Sequence, residues 1–222
     1  MAVGSFEEVQ FKESDVLKSE KNFLFYKLLK KSFVYSFVQR VLSTDRGYNI
    51  IYKDIIAAKA GEKVLDLGCG PSFNRFRLGK VKYTGVDFNS NHISEAKKNY
   101  PEDNFVCNDL ISFLTTTQET FDKILMVGVL HHLDDSTAKE VISFAKRCLV
   151  SGGKLITVDP VFEEKQNPVA RLLASMDQGS FVRTEPEYSS ILRGQFSEIA
   201  SVIRRDLLSL PYSHHIAVCT NL

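Results

Sequence analysis

Val64-Leu-Asp-Leu-Gly-Cys-Gly-Pro-Ser72, followed by Tyr83-Thr-Gly-Val-Asp87, is the stretch whose reading decides the fold. An apolar run that ends in glycine reads as a buried strand entering a tight turn. The second apolar run, ending in a carboxylate, reads as a neighbouring strand, with a helix expected between the two. Gly68 and Gly70 let the backbone turn sharply and come close to a ligand, while Asp87 stands where a nucleotide ribose would present its two hydroxyls. Two details separate the pattern from a dinucleotide fingerprint. Phe73 holds the place of the third glycine in G-x-G-x-x-G, and Asp66 precedes the first glycine by two residues. A carboxylate there repels a pyrophosphate and suits a ligand that carries a cationic amino-acid group.

On these residues the chain resembles the class I S-adenosylmethionine-dependent methyltransferases, whose D/E-x-G-x-G motif is matched by Asp66, Gly68 and Gly70. The resemblance runs on in order. Phe105-Val-Cys-Asn-Asp109-Leu110 has the form of the third strand and its adenine-binding acidic residue. Phe121 to His132 matches the fourth strand, and Leu149-Val-Ser-Gly-Gly-Lys-Leu-Ile-Thr-Val-Asp159 the fifth. The likeness is specific over about residues 60 to 160 and general elsewhere. It implies S-adenosyl-L-methionine as cofactor, S-adenosyl-L-homocysteine as product, and no metal. It places Asp66, Gly68 and Gly70 near the methionine portion, Asp87 at the ribose, Asp109 and the Leu110 backbone at the adenine, and Gly128 and Val129 along the border of the site. One departure is Ser72, where a third small glycine is common in the family.

The expected fold class is α/β: a Rossmann-like, doubly wound, mostly parallel seven-strand sheet with an antiparallel last strand. Strands alternating with helices give a parallel sheet covered on both faces. A helical cap or lid is expected over residues 1–60 and the cofactor-binding domain over 61–222. Within residues 23 to 42, apolar residues outnumber polar ones 13 to 7. Lys27, Lys30 and Lys31 share one helical face there, and Ser32, Ser36, Gln39 and Arg40 the other, so two short packed helices or a basic membrane-docking helix both fit. A helix is expected from Tyr48 to Lys59.

An acceptor-site insert is expected at residues 160–196. Asn167-Pro168 offers an N-cap and a proline at the first helical position, giving a helix to about Met176. Thr184-x-x-Glu187 is a capping box for a second helix, closed by Gly194. Inserts there lie beside the carboxyl edge of the sheet, where ligands of open α/β folds bind. Asp177, Arg183 and Tyr188 are the candidate acceptor-binding residues, since a guanidinium grips carboxylate or phosphate bidentately. The other reading of the insert is a packing subdomain. Ser197 to Leu207 and His215 to Thr220 complete the sheet as a hairpin.

Methyl transfer asks mainly for positioning and exclusion of water. A nucleophile that must lose a proton also needs a base, and His131, His132 and Asp159 end strands on the right edge. Either histidine also fits a hydrogen-bonded packing role. The acceptor is expected to be a small molecule or a glycan or lipid precursor, methylated on oxygen, nitrogen or carbon. A cofactor-binding protein without catalysis and a nicotinamide oxidoreductase are the alternatives; Asp66 and Phe73 disfavour the latter.

Composition narrows the field further. The 222 residues are 44% hydrophobic and 25% charged, with a net charge of +1. That suffices for one substantial core and gives no electrostatic footprint for nucleic acid. The four cysteines, at 69, 107, 148 and 219, show no metal spacing and read as reduced thiols. Glu7, Glu8 and Glu13 replace the basic region of a leader, and no apolar run approaches the roughly 20 residues of a membrane span. A cytoplasmic protein is expected, with peripheral membrane contact left open and oligomeric state unassigned.

Overall fold

β1 (Lys63–Leu67), β2 (Lys82–Asp87) and β3 (Asn104–Cys107) are laid side by side in parallel, and β4 (Phe121–Val127) pairs with the other side of β1. The computed structural model describes residues 44–176 and 179–222. β5 (Leu149–Phe162) extends the parallel set next to β4; β8 (His214–Thr220) then runs antiparallel to it, with β7 (Glu198–Arg204) at the edge. The order is β3-β2-β1-β4-β5-β8-β7, so the chain reverses its winding between β1 and β4. A two-residue β6 (Arg183–Thr184) adds to the far end of β5 as an eighth strand.

Alternation along the strands builds two apolar layers, because successive side chains point to opposite faces. Leu65, Leu67, Ile124, Met126, Leu155 and Ala217 face one core, which α3 (Leu110–Thr116), α4 (Asp135–Arg147) and α6 (Glu185–Arg193) cover. Val64, Tyr83, Leu125 and Ile156 face the other, covered by α2 (Ser90–Asn99) and by the helical segment before β1. α5 (Pro168–Met176) lies in the insert. The fold is the doubly wound arrangement expected, with the last long strand antiparallel.

Local signals in the sequence set most helix starts. Asn89 caps α2 through its side chain, which accepts from the Asn91 amide, and Asp134 caps α4 by accepting from the Thr137 amide. Thr184 and Glu187 form the reciprocal capping box at α6, whose C-cap is Gly194.

Two elements differ from expectation. The helix foreseen between β1 and β2 is a single 3-10 turn, Arg75–Leu78. Pro71 and Gly79 leave too little chain for more, and Arg75 ties the turn down by bonds to Asp103 (2.6 and 2.9 Å) and to the Gly79 and Val81 carbonyls. The helix foreseen at Tyr48 to Lys59 starts earlier, as α1 (Asp45–Asn49), and widens into a π-helical run, Ile50–Ile56, that stops at left-handed Ala57. Thr44 sets the start by accepting from the Gly47 amide at 2.9 Å, and Gly47 itself packs so closely that a Cβ there would lie 2.0 Å from the Leu207 carbonyl oxygen. The two short helices read within residues 23 to 42 lie outside the described residues.

Candidate active site

The loops after β1 and β4 meet at the point where the winding reverses. Gly68 has a φ of +72° and packs against Val129, whose Cγ2 would stand 2.7 Å from any Cβ on it. A side chain at 68 would therefore be strained in backbone and would clash, so the residue is fixed by both demands. Gly70 donates its amide to Asp87 Oδ2 at 2.9 Å, which ties the glycine loop to the end of β2. The other oxygen of Asp87 accepts from the Asn89 amide at 2.8 Å, with His92 Nδ1 at 3.4 Å. Ser72, in the place of the missing third glycine, adopts the left-handed region itself at φ +54°.

Asp66 lies at the floor of this loop. Tyr83 donates its phenol to Asp66 Oδ2 at 2.7 Å, and Ser72 Oγ lies 3.1 Å from the same phenol oxygen. The Tyr83 proton being engaged with the carboxylate, Ser72 is the donor in that second bond. Burial pushes Asp66 up to about 7; the Tyr83 bond opposes this and Asp87 adds to it. Burial likewise raises the Cys69 thiol and the Tyr83 phenol, with Asp66 the next cause in each.

Sequence reasoning missed Tyr48 and Tyr52. Tyr52 is held well above its ordinary pKa by burial and by Asp66, and its side chain bonds with Asn74, so the π-helical run comes up beside the loop. Arg77 lies over the Tyr48 ring at 4.1 Å. Only the i, i+4 spacing of the two tyrosines, which puts them on one helical face, was there to be read.

Asp109 is the N-cap of α3, its Oδ1 accepting from the Ile111 and Ser112 amides at 3.0 and 3.1 Å. Leu110 is half-buried and follows directly. Gly128 (φ +71°) and Val129 form the turn after β4; Val129 packs on Gly68 of the glycine loop, and Gly128 lies beside the His131 ring. The eight residues read as cofactor-binding thus gather at the carboxyl edge of β1, β2, β3 and β4.

The second half of the site lies at the ends of β4 and β5. His131 and Asp159 are both buried; Asp159 Oδ1 is 2.8 Å from His131 Nδ1 and accepts from the His131 amide at 3.2 Å. His132 is more open, its ring 4.1 Å from that of His131. The insert passes directly over this pair. A Cβ on Gly179 would fall 2.0 Å from His131 Cδ2, and the Phe181 amide donates to the His131 carbonyl.

Arg183 and Tyr188, read as acceptor-binding, are placed otherwise. Arg183 is 5% exposed and gives its guanidinium to the Leu130, Leu133 and Phe181 carbonyls and to Asp135 Oδ1 at 2.6 to 3.1 Å. It braces the insert against the 130–135 turn, and its donors are committed within the fold. Tyr188 is fully buried, donates to the Pro160 carbonyl at 3.0 Å and stacks on His215. Asp177 lies outside the described residues.

Among the described residues no cluster of His, Cys, Asp and Glu is placed to hold a metal ion, and no helix is long and apolar enough to cross a membrane. A cleft of about 420 Å³ at the opposite edge of the sheet, lined by Glu62, Asp122, Lys123 and Gly152, is remote from these groups.

Residues 64–153 match the family model of a methyltransferase domain. An uncharacterized methyltransferase of Geobacillus thermodenitrificans is 28% identical over 134 residues, 54% of this chain and 61% of that protein. Across two curated relatives the match spans 38% and 61% of their own length. The fold is similar to that of a SAM-dependent methyltransferase from Archaeoglobus fulgidus, with a TM-score of 0.68, 16% identity, and 85% and 99% of the two chains covered. It is also similar to the N-methyltransferase NodS of Bradyrhizobium japonicum WM9 in complex with S-adenosyl-l-homocysteine, with a TM-score of 0.61, 18% identity, and 80% and 86% covered.

Proposed function

We propose that the chain, whose residues 64–153 match a methyltransferase domain, transfers a methyl group from S-adenosyl-L-methionine to a small-molecule acceptor. The observation that carries the reading is the convergence of Asp66, the Gly70–Asp87 pair and Asp109 at adjoining strand ends. Their donor and acceptor types match the three parts of the ligand. Asp66, whose carboxyl burial pushes up to about 7, meets an α-ammonium and ionises against it. Asp87 accepts from the ribose hydroxyls while its amide bonds keep it oriented, and Asp109, with Oδ1 spent on the helix, offers Oδ2 to the adenine amino group. Gly68 and Gly70, both at positive φ, turn the backbone sharply enough to touch the ligand.

Bound there, S-adenosylmethionine supplies a sulfonium methyl for in-line displacement. The acceptor nucleophile lies on the β4–β5 side in this reading, beneath the insert, where His131 takes its proton and Asp159 holds the ring and stabilises the imidazolium. An oxygen or nitrogen nucleophile with a proton to lose fits that pair. Reaction in a site covered by the insert keeps water from competing.

Calorimetric and thermal-shift titrations with S-adenosylmethionine and S-adenosylhomocysteine test the cofactor. A ligand at a hundredfold excess over its dissociation constant adds about 2.7 kcal/mol, a melting shift of roughly 5 to 10 °C for a chain of this size. No shift at millimolar concentration of either sinks the assignment. Incubation with the labelled cofactor and fractionated extract then shows which small molecule takes the label.

A further inference from the structure

Asp159 spends only one of its oxygens. Oδ1 holds His131 by ring and amide, whereas Oδ2 has no hydrogen-bond partner although the residue is 1% exposed. His215 is its Cα partner across the antiparallel β5–β8 pair, so the two side chains leave the sheet on the same face. His215 is also 1% exposed, and its Nε2 is likewise without a partner. Buried polar atoms are paired almost without exception, since leaving one bare costs as much as losing a hydrogen bond. A bare carboxylate oxygen and a bare ring nitrogen on directly opposed residues are complementary.

We propose that Asp159 is a carboxylate shared by two imidazoles, His131 on Oδ1 and His215, through Nε2–H, on Oδ2 across one internal water, with His215 acting as a positioning residue for the His131–Asp159 pair. The surroundings of His215 hold its ring for this task. Tyr188 stacks on it with centroids 5.2 Å apart and planes 4° from parallel, and the Tyr188 phenol is itself fixed on the Pro160 carbonyl. The charged groups around it are Asp159 on β5 and Glu185 on α6, both favouring the imidazolium, with Arg183 over the Tyr188 ring at 5.7 Å. Burial outweighs the two carboxylates and lowers its pKa, so His215 serves as a neutral N–H donor. A donor on Oδ2 draws off part of the charge of the Asp159 carboxylate, which sets how basic His131 is. The effect on catalysis rests on the base role proposed above for His131; the sharing of Asp159 does not.

Long-range proton–nitrogen NMR on the wild-type chain reads the tautomer directly: His215 is expected neutral and protonated on Nε2 from pH 6 to 9, and the Nδ1–H tautomer overturns the inference. In His215→Phe the carboxylate loses its second donor, so the His131 titration is expected to rise by about 0.5 to 1 unit. His215→Gln, which puts an N–H near the Nε2 position, is expected to restore it. An unmoved His131 titration in a folded Phe variant overturns the sharing; should that variant not fold, the wild-type tautomer and the Gln variant decide. A His131 titration that moves while the pH dependence of methyl transfer stays put upholds the shared carboxylate and removes the base role from His131.

Discussion

Tyr83 donates its phenol to the carboxylate of Asp66 across the β1–β2 pair, 2.7 Å from oxygen to oxygen, and this bond is what holds Asp66 near pH 7 instead of higher. A carboxyl so placed must ionise before it can hold an ammonium. The affinity for S-adenosylhomocysteine is therefore expected to rise with pH, about tenfold from pH 6 to pH 8. Calorimetry in buffers of different ionisation heat also reads the proton released on binding at pH 6. A flat affinity profile with no proton release removes Asp66 from the cofactor's ammonium.

The same carboxyl burdens the fold at alkaline pH. Its folded pKa lies above the unfolded value of 3.8, so its contribution to stability is full below pH 4 and is lost as pH rises through about 7. Asp66→Asn is expected to raise the melting temperature at pH 8, with a gain on the order of 2 to 4 kcal/mol, and to leave it little changed at pH 4. The same variant should lose cofactor affinity at pH 8. Equal effects on stability at both pH values would show that desolvation of the anion is not the cause.

Tyr83→Phe separates the bond from the burial. Without the phenol, Asp66 keeps its desolvation and loses the one group that lowers its pKa, so the midpoint of the affinity profile is expected to move up by about 0.5 to 1 unit. The lost hydrogen bonds to Asp66 and Ser72 should cost about 1 to 2 kcal/mol in denaturant melts. A profile that stays at the wild-type midpoint would mean that the bond does not act on the carboxyl.

Asp87 couples cofactor to loop, because its two oxygens accept from Gly70 and Asn89 as well as facing the site. Asp87→Ala is expected to weaken S-adenosylhomocysteine by about 2 to 4 kcal/mol and to lower stability by about 1 to 3 kcal/mol. Asp109→Ala removes an exposed helix cap and one adenine contact, with losses of about 1 kcal/mol in stability and about 1 to 2 in affinity. Unchanged affinity in the Asp87 variant would mean that the end of β2 is not the ribose site.

The placement of Asp66, Asp87, Asp109 and Asp159 was legible because each lies in or just after an apolar run, and a shift of one residue along a strand moves a side chain to the other face. Caps were legible at Asn167, Thr184 and Gly194 for a similar reason: the partner of each lies within four residues. What depends on distant chain was not. Nothing near Tyr52 shows that its helix widens to a π form and comes to lie by Asp66. The partnering of Asp159 with His215, 56 positions along the chain, follows from the register of β5 on β8, which no local pattern fixes.

Arg183 is the clearest case, and it carries the last prediction. In sequence it is a guanidinium in a loop between two capped helices, available to an anionic acceptor; in the fold its acceptors are the carbonyls of Leu130, Leu133 and Phe181 and one oxygen of Asp135. Asp135 is largely exposed, so it can rehydrate when the arginine is removed, but the Leu130 carbonyl is bonded in a buried setting and cannot. Arg183→Ala is expected to lower stability by about 2 to 4 kcal/mol and to leave S-adenosylhomocysteine affinity unchanged, since no donor-site residue touches the guanidinium. Arg183→Lys should recover little, because one ammonium cannot replace a planar fork that reaches four acceptors. Denaturant melts and calorimetry on the same preparations check both halves. A folded, stable Ala variant with a raised acceptor KM would instead return Arg183 to the acceptor site.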